Sequence, residues 1–301
     1  MSSLFLINPA SGRKQNAAAT QALIEDVYAK EKQEVHTQFI DFETLDQTLD
    51  QAIEQGIQNI YAVGGDGTVN AVGTRLIHKP VNFGVIPKGS GNGYARNIGF
   101  SIRTKLAITQ SLSAQVIKVD TGEFSGIPFL NVAGIGLDAE VAYQFSLGDK
   151  RGFVPYVKRS AEGLIAMETE DYVLELDGKR YEFSEILGIV VANGTQWGYD
   201  VKISTNARLT DGLFDVLVVK KFPILKAGLM VKKLFSGKFQ NSRYVEEFQA
   251  KKLTIRRKMS GAAQVDGEPI QVGDEIGVCL RPQSLNLLLP GTLTPEKIQS
   301  I

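Results

Sequence analysis

The chain has 301 residues and balances 33 Lys plus Arg against 33 Asp plus Glu, so overall charge excludes a partner chosen by net electrostatics, nucleic acid first among them. A hydrophobic share of 43% excludes a disordered chain, and a single cysteine, Cys279, excludes an internal disulfide framework. No apolar run approaches the ~20 residues of a spanning helix, and the amino terminus enters Leu4–Ile7 without a basic flank, so neither a membrane helix nor a signal peptide is expected.

Leu4 to Ile7 reads as a strand covered on both faces, followed by the polar loop Asn8-Pro9-Ala10-Ser11-Gly12-Arg13-Lys14. Ala19, Leu23 and Val27 recur at helical spacing and predict an amphipathic helix to about Lys32. Val35 to Ile40 predicts a second strand, and Leu45, Leu49, Ala52 and Ile53 a second helix ending near Gly56. Asn59 to Val63 is the third strand and Val69 to Ile77 its helix; Val81 to Ile86 is the fourth, opening into Pro87-Lys88-Gly89-Ser90-Gly91-Asn92-Gly93. A helix bordered by Ile102 and Leu106 follows. Strands alternating with helices predict an α/β domain with a parallel sheet over residues 1–120.

After Gln115 the chain changes character. Val116–Thr121, Pro128–Ile135, Tyr172–Leu176, Ile186–Ala192, Leu213–Val219, Lys252–Arg256, Ala262–Val265 and Leu285–Leu289 read as strands, with Asp177-Gly178 as a hairpin turn and helices at 159–168 and 224–235. Residues 121–289 are therefore expected to form a β-rich sandwich domain, and 290–301 a polar tail that can return to the first domain. Cys279, in Ile276-Gly277-Val278-Cys279-Leu280, reads as a buried small residue.

The stretch that organises the chain is Ile60 to Asn70, where a strand runs into Gly64-Gly65-Asp66-Gly67-Thr68 and then a helix. Glycine lets a ligand approach the backbone, and successive N–H groups before a helix hold anions. Asp66 would repel a phosphate directly, so it is assigned to Mg²⁺ or a substrate hydroxyl. Gly89-Ser90-Gly91-Asn92 alone is a weak signal; paired with the earlier turn it points to phosphate binding, with Lys14, Lys88 and Arg96 as countercharge. No Walker pattern is present, and the first loop lacks the dinucleotide fingerprint. The second portion holds two acidic groups, Asp211 with Asp215 and Asp266 with Glu268. Each fits a solvated turn equally well, but phosphoryl transfer has a use for both: charge neutralisation through metal, and a base for an attacking hydroxyl. The two histidines, His36 and His78, lie far apart in sequence and support neither a zinc centre nor a Ser–His hydrolase.

Asn8-Pro9-Ala10-Ser11-Gly12, Gly64-Gly65-Asp66-Gly67-Thr68 and Pro87-Lys88-Gly89-Ser90-Gly91-Asn92 together resemble the diacylglycerol kinase catalytic family, bacterial lipid kinases and sphingosine kinases included. Asn131–Ala139, Asn206-Ala207, Asp211-Gly212-Leu213-Phe214-Asp215 and Val265-Asp266-Gly267-Glu268 complete its ordered pattern over roughly residues 4 to 290. The resemblance implies a Rossmann-like nucleotide domain, a carboxyl-terminal β-sandwich and an active cleft between them, with ATP and Mg²⁺ as cofactors and a lipid hydroxyl as acceptor. It implies that Asn8, Ser11, Lys14, Gly64, Gly65, Asp66, Gly67, Thr68, Lys88, Gly89, Ser90, Gly91 and Asn92 hold the nucleotide. It also implies Asp266 as hydroxyl-positioning base beside Glu268, with Asp66 and Glu268 toward metal, and Asp211 and Asp215 either toward a second Mg²⁺ or stabilising their lobe. One departure bears on the substrate: Gly93 stands where diacylglycerol kinases of the family usually carry aspartate, and a small residue there resembles sphingosine kinases. The expectation is thus a lipid kinase acting on diacylglycerol or a sphingoid-type lipid. NAD kinase-like cofactor phosphorylation and a non-catalytic lipid or nucleotide sensor are the alternatives. A cytoplasmic protein in reversible contact with the inner membrane surface is expected, with no nucleic-acid partner; a homodimer is left open.

Overall fold

The computed structural model describes residues 2–12, 16–137, 139 and 168–301. By its contacts the chain forms two compact units, Met1–Val119 with Gln283–Ile301, and Asp120–Pro282. The helix expected at 159–168 lies, but for its last residue, outside the described residues, as does Lys14.

The first unit runs β1 (Ser3–Ile7), α1 (Ala17–Lys30), β2 (Val35–Phe39), α2 (Leu45–Glu54), β3 (Asn59–Gly64), α3 (Asp66–Arg75), β4 (Asn82–Pro87), α4 (Gly93–Asn97) and α5 (Thr104–Ser111), and leaves through β5 (Gln115–Phe124). β1 lies between β2 and β3, both parallel to it, and every one of its residues is buried. That is the reason its sequence is a continuous apolar run rather than an alternation. β4 extends the sheet beyond β3. At their crossing register Gly84 lies beside Tyr61, where any Cβ would stand 2.2 Å from the ring. The Tyr61 ring stacks on Phe5 at 4.5 Å, and Phe5 meets Tyr28 edge-on at 5.2 Å.

Helix α1 corrects its sequence expectation. The buried stripe is Ala17, Thr20, Ile24 and Tyr28, not Ala19, Leu23 and Val27. The helix turns to seat Tyr28 on Phe5, with the phenol bonded to Ser111 Oγ at 2.9 Å. Its start is capped by Asn16, whose Oδ1 accepts from Ala19 N at 3.0 Å. In α2 the expected Leu45, Leu49 and Ala52 are the buried face.

The second unit is β6 (Ile127–Phe129), β7 (Val132–Gly136), β8 (Glu170–Leu176), β9 (Lys179–Ala192), β10 (Gln196–Gly198), β11 (Val201–Lys202), β12 (Phe214–Lys220), a 3-10 turn at Ile224–Lys226, α6 (Ala227–Phe235), β13 (Val245–Ala250), β14 (Lys252–Arg256), β15 (Gly261–Val265), β16 (Glu268–Val272) and β17 (Glu275–Leu289). Its sheet is antiparallel in the order β16-β15-β7-β9-β8-β14-β17, with β12 pairing both β9 and β13. Period-2 alternation divides two cores. Ile189, Val191, Val216 and Val218 enter one with Phe214 and Ile255, while Val190, Leu217 and Val219 enter the other with Met230. The Asp177-Gly178 hairpin forms as the sequence predicts, both residues at positive φ (47° and 84°), the conformation of a type I′ turn. The strand expected over 128–135 is instead two, β6 and β7. Cys279, expected to be buried, is half-buried on β17 opposite Lys252.

β17 carries the chain back to the first unit, where Asn286 and Leu287 pair in parallel with Asn82 and Phe83. Residues 283–289, read from sequence as part of the sandwich, therefore pack with the α/β unit. The tail contains α7 (Pro295–Gln299) and ends on a buried Ile301.

Candidate functional site

In the first unit β1, β3 and β4 are parallel and in register, Ile7 beside Val63 and Gly64 beside Pro87. The three polar loops therefore leave the same carboxyl edge of one sheet, where ligands of open α/β sheets bind. Asn8 ties the first to the second: its Nδ2 donates to Thr68 Oγ1 at 2.8 Å, and its Oδ1 accepts from Ala10 N at 2.9 Å. Lys88 N donates to Gly64 O at 2.7 Å and ties the second to the third.

The glycines pack backbone on backbone. A Cβ on Gly89 would meet Gly65 Cα at 2.5 Å, and one on Gly64 would meet Thr68 Oγ1 at 2.4 Å. Asn92 closes the third loop in the left-handed conformation (φ 51°), its Oδ1 accepting from Gly89 N and its Nδ2 donating to Gly89 O, both at 2.9 Å. Gly12 (φ 91°) lies against the Lys88 stem. Ser11 and Thr68 are buried; Ser90 is exposed. Burial lowers the Lys88 pKa, and its ammonium donates to Asn16 O at 3.2 Å. Arg96 Nε donates to Gly91 O at 3.2 Å, so this cation braces the third loop. α3 begins at Asp66, earlier than the Val69 read from sequence, with Gly65 as its cap. Asp66 thus sits in the helix's first turn, and Gly65 offers no side chain to the first-turn N–H groups. The chemistry of this donor set, glycine amides and a lysine around a helix start, fits a triphosphate.

In the second unit the turn Asp266-Gly267 joins β15 to β16 with both residues at positive φ (49° and 88°). The Asp266 carboxylate accepts from Leu130 N at 2.8 Å through Oδ2, and from Asn131 N at 2.8 Å and Val132 N at 3.0 Å through Oδ1. Its own N donates to Val132 O at 2.8 Å. Both of its oxygens are thus engaged in holding the bend before β7. Glu268 begins β16, is exposed, and its carboxylate makes no hydrogen bond or ion pair among the described residues.

Asp211 and Asp215 also differ. Asp215 is buried, its Oδ2 accepting from Ser204 Oγ at 2.7 Å and its Oδ1 from Gln249 Nε2 at 3.0 Å. Asp211 accepts from Leu213 N at 3.1 Å. Burial, then the charges of Asp215 and Asp120, raise the Asp211 pKa; burial and Asp215 raise that of Glu247. Asp120, whose Oδ2 accepts from Gly212 N at 2.8 Å, and Glu247 are members of this group that sequence reasoning missed. The signal for Asp120 was an acid near the end of the expected strand Val116–Thr121; nothing distinguishes Glu247 locally. Among the described residues no set of three or more His, Cys, Asp or Glu side chains is arranged as a metal cage. The mutual repulsion of these acids fits a Mg²⁺ that takes one or two carboxylates and keeps its waters.

Two family models match: the diacylglycerol kinase catalytic domain over residues 2–124, and the YegS C-terminal NAD kinase beta sandwich-like domain over 131–289. The chain is 27% identical over 214 residues to a protein named diacylglycerol kinase from Bacillus subtilis (strain 168), covering 69% of this chain and 70% of that one. It is 27% identical over 270 residues to one of the same name from Staphylococcus aureus (strain bovine RF122 / ET3-1), covering 88% and 85%. A solved structure titled as a diacylglycerol kinase from Bacillus anthracis str. Sterne superposes with TM-score 0.75 at 21% identity, covering 98% of this chain and 97% of that one, a likeness of fold. Among the described residues no helix is long and apolar enough to cross a membrane. With both models matched in order along its length, the chain belongs to the diacylglycerol kinase catalytic family, an ATP-dependent lipid kinase that transfers phosphate to a hydroxyl acceptor.

Proposed function

We propose that this kinase transfers the γ-phosphoryl group of ATP to the free hydroxyl of diacylglycerol. The observation that carries the reading is the ordered pair of matched models on a chain whose three loops leave one sheet edge. The names of the curated relatives support diacylglycerol over the sphingoid lipid suggested by Gly93.

In this reading Asn8, Ser11, Gly64, Gly65, Gly67, Thr68 and Lys88 to Asn92 hold the nucleotide, joined by Lys14, while Asp66 serves the nucleotide side. Bound Mg²⁺ would neutralise charge on the phosphates; Asp66 is the carboxylate of the first unit suited to hold it, and Asp211 in the second unit is suited to a second Mg²⁺. An aliphatic hydroxyl is too weak an acid to ionise near neutral pH, so a carboxylate must take its proton as attack proceeds. We assign that role to Glu268 rather than Asp266. Among the described residues the Glu268 carboxylate is uncommitted, whereas Asp266 already accepts three backbone N–H bonds. Asp266 is then the residue that fixes the turn presenting Glu268, and Asp215 is a buried support for Asp211. The lipid acceptor further implies a peripheral protein in reversible contact with a membrane surface.

The test offers γ-labelled ATP and Mg²⁺ to the pure protein with diacylglycerol, sphingoid base or ceramide in mixed micelles, and with NAD. At least about tenfold preference for diacylglycerol, ~1.4 kcal/mol of transition-state discrimination, is expected. Label entering only NAD or only the sphingoid base overturns the substrate. Mg²⁺-dependent ATP binding with no transfer overturns catalysis in favour of a sensor.

A further inference from the structure

Residues 216–245 hold six lysines and one arginine and no acid, in a chain whose charges balance over its whole length. Two of these cations are matched by acids from outside the run, Lys220 by Glu246 and Lys221 by Glu185. Arg243 lies over the Tyr244 ring, and Lys233 donates to Asn241 O. The ammonium groups of Lys226, Lys232 and Lys238 are exposed and make no hydrogen bond or ion pair among the described residues.

The same segment leaves apolar side chains in water. Leu225 is 92% exposed, Ile224 55% and Leu229 48%. Core packing accounts for only one side of this helix: Met230 is buried and Leu234 packs beside it. Leu225, Gly228, Leu229 and Lys232 stand at the i, i+3, i+4 and i+7 positions of the opposite face. A Cβ on Gly228 would meet nothing within 4 Å, which places that face in the open. Apolar side chains ringed by unpaired lysines match the interface of an anionic bilayer, whose headgroups take the charge while its acyl boundary takes the leucines.

We propose that the Ile224–Lys226 turn and α6 dock on an anionic lipid bilayer, with Ile224, Leu225 and Leu229 entering it and Lys226, Lys232 and Lys238 facing its headgroups. The proposal deepens the lipid-kinase reading by naming the surface that brings the protein to its acceptor. None of these residues belongs to the nucleotide loops or the carboxylate groups.

The experiment measures co-sedimentation, without ATP, on vesicles of phosphatidylcholine alone and of phosphatidylcholine mixed with phosphatidylglycerol. Wild type should bind the mixed vesicles and not the neutral ones. Leu225→Asp should weaken binding on the order of tenfold. The double variant Lys226→Glu, Lys232→Glu should weaken it by at least about tenfold at low salt. Because the assay involves no turnover, it stands whether or not diacylglycerol is the acceptor. Phosphorylation of micellar diacylglycerol by both variants should match wild type; a failure in wild type as well would count against the substrate and leave the docking result intact. Equal vesicle binding by wild type and both folded variants overturns the proposal, as does absence of binding by wild type. So does a wild-type dimer that Leu225→Asp dissociates without any change on vesicles, since the face would then belong to a second copy.

Discussion

The candidate site residues of the two units are held by different materials. The first builds its loops from main chain: Gly65 lies on Gly89, Gly64 on Thr68, and Asn92 folds back on Gly89. The second works with carboxylates, and its neighbouring acids do unlike work. Asp266 is spent on three N–H groups beside a Glu268 that is uncommitted among the described residues; Asp215 is buried under two donors beside an Asp211 whose pKa burial raises. A backbone site is specified by what glycine alone can do, so its residues announce themselves. A carboxylate site is specified by which oxygens remain available, which no residue name reveals.

The largest expected effect breaks the second unit's pair apart. Glu268→Gln should lower kcat roughly 10²–10⁴-fold with ATP affinity little changed, the span of a positioned base. Asp266→Asn should act through stability. Turning an acceptor into a donor facing N–H groups costs about 1–3 kcal/mol, seen as a lower Tm, while the folded fraction keeps kcat within about tenfold of wild type. Steady-state kinetics alongside thermal unfolding separates the two. A near-normal kcat for folded Glu268→Gln, with a large loss for folded Asp266→Asn, would reverse the assignment.

A smaller effect probes the first unit. Gly89→Ala drives a methyl into Gly65 Cα, a backbone atom that cannot step aside, and should weaken ATP binding about tenfold to hundredfold by calorimetry. Gly277→Ala, which has no neighbour within 4 Å, is the matched control and should leave binding unchanged.

The smallest effect is one of pH. Burial raises the pKa of Asp211 and Glu247, so the folded state holds these protons more tightly than the unfolded chain. Their contribution to stability is full below the ordinary carboxylate range and is lost as pH rises through the raised values. Without divalent cation, Tm measured upward from the ordinary carboxylate pKa should therefore carry a falling component that Glu247→Gln reduces. A component that rises instead would mean that these acids are stabilised as anions.

The amino-acid sequence by itself determined the layers and the loops. Apolar runs broken by glycine turns specify parallel strands, and Asp177-Gly178 specifies a hairpin, because each follows from local backbone chemistry. Only the tertiary structure decided which way α1 turns, since Tyr28 rather than Val27 meets Phe5 and Ser111. It also decided that residues 283–301 pack with the first unit, through a strand pairing between Asn286 and Asn82 that is invisible to local pattern. And it separated Asp266 from Glu268. Both read as turn acids in the sequence, but the donors that occupy Asp266 come from residues 130–132, far along the chain, and a carboxylate's availability is set by the groups that reach it.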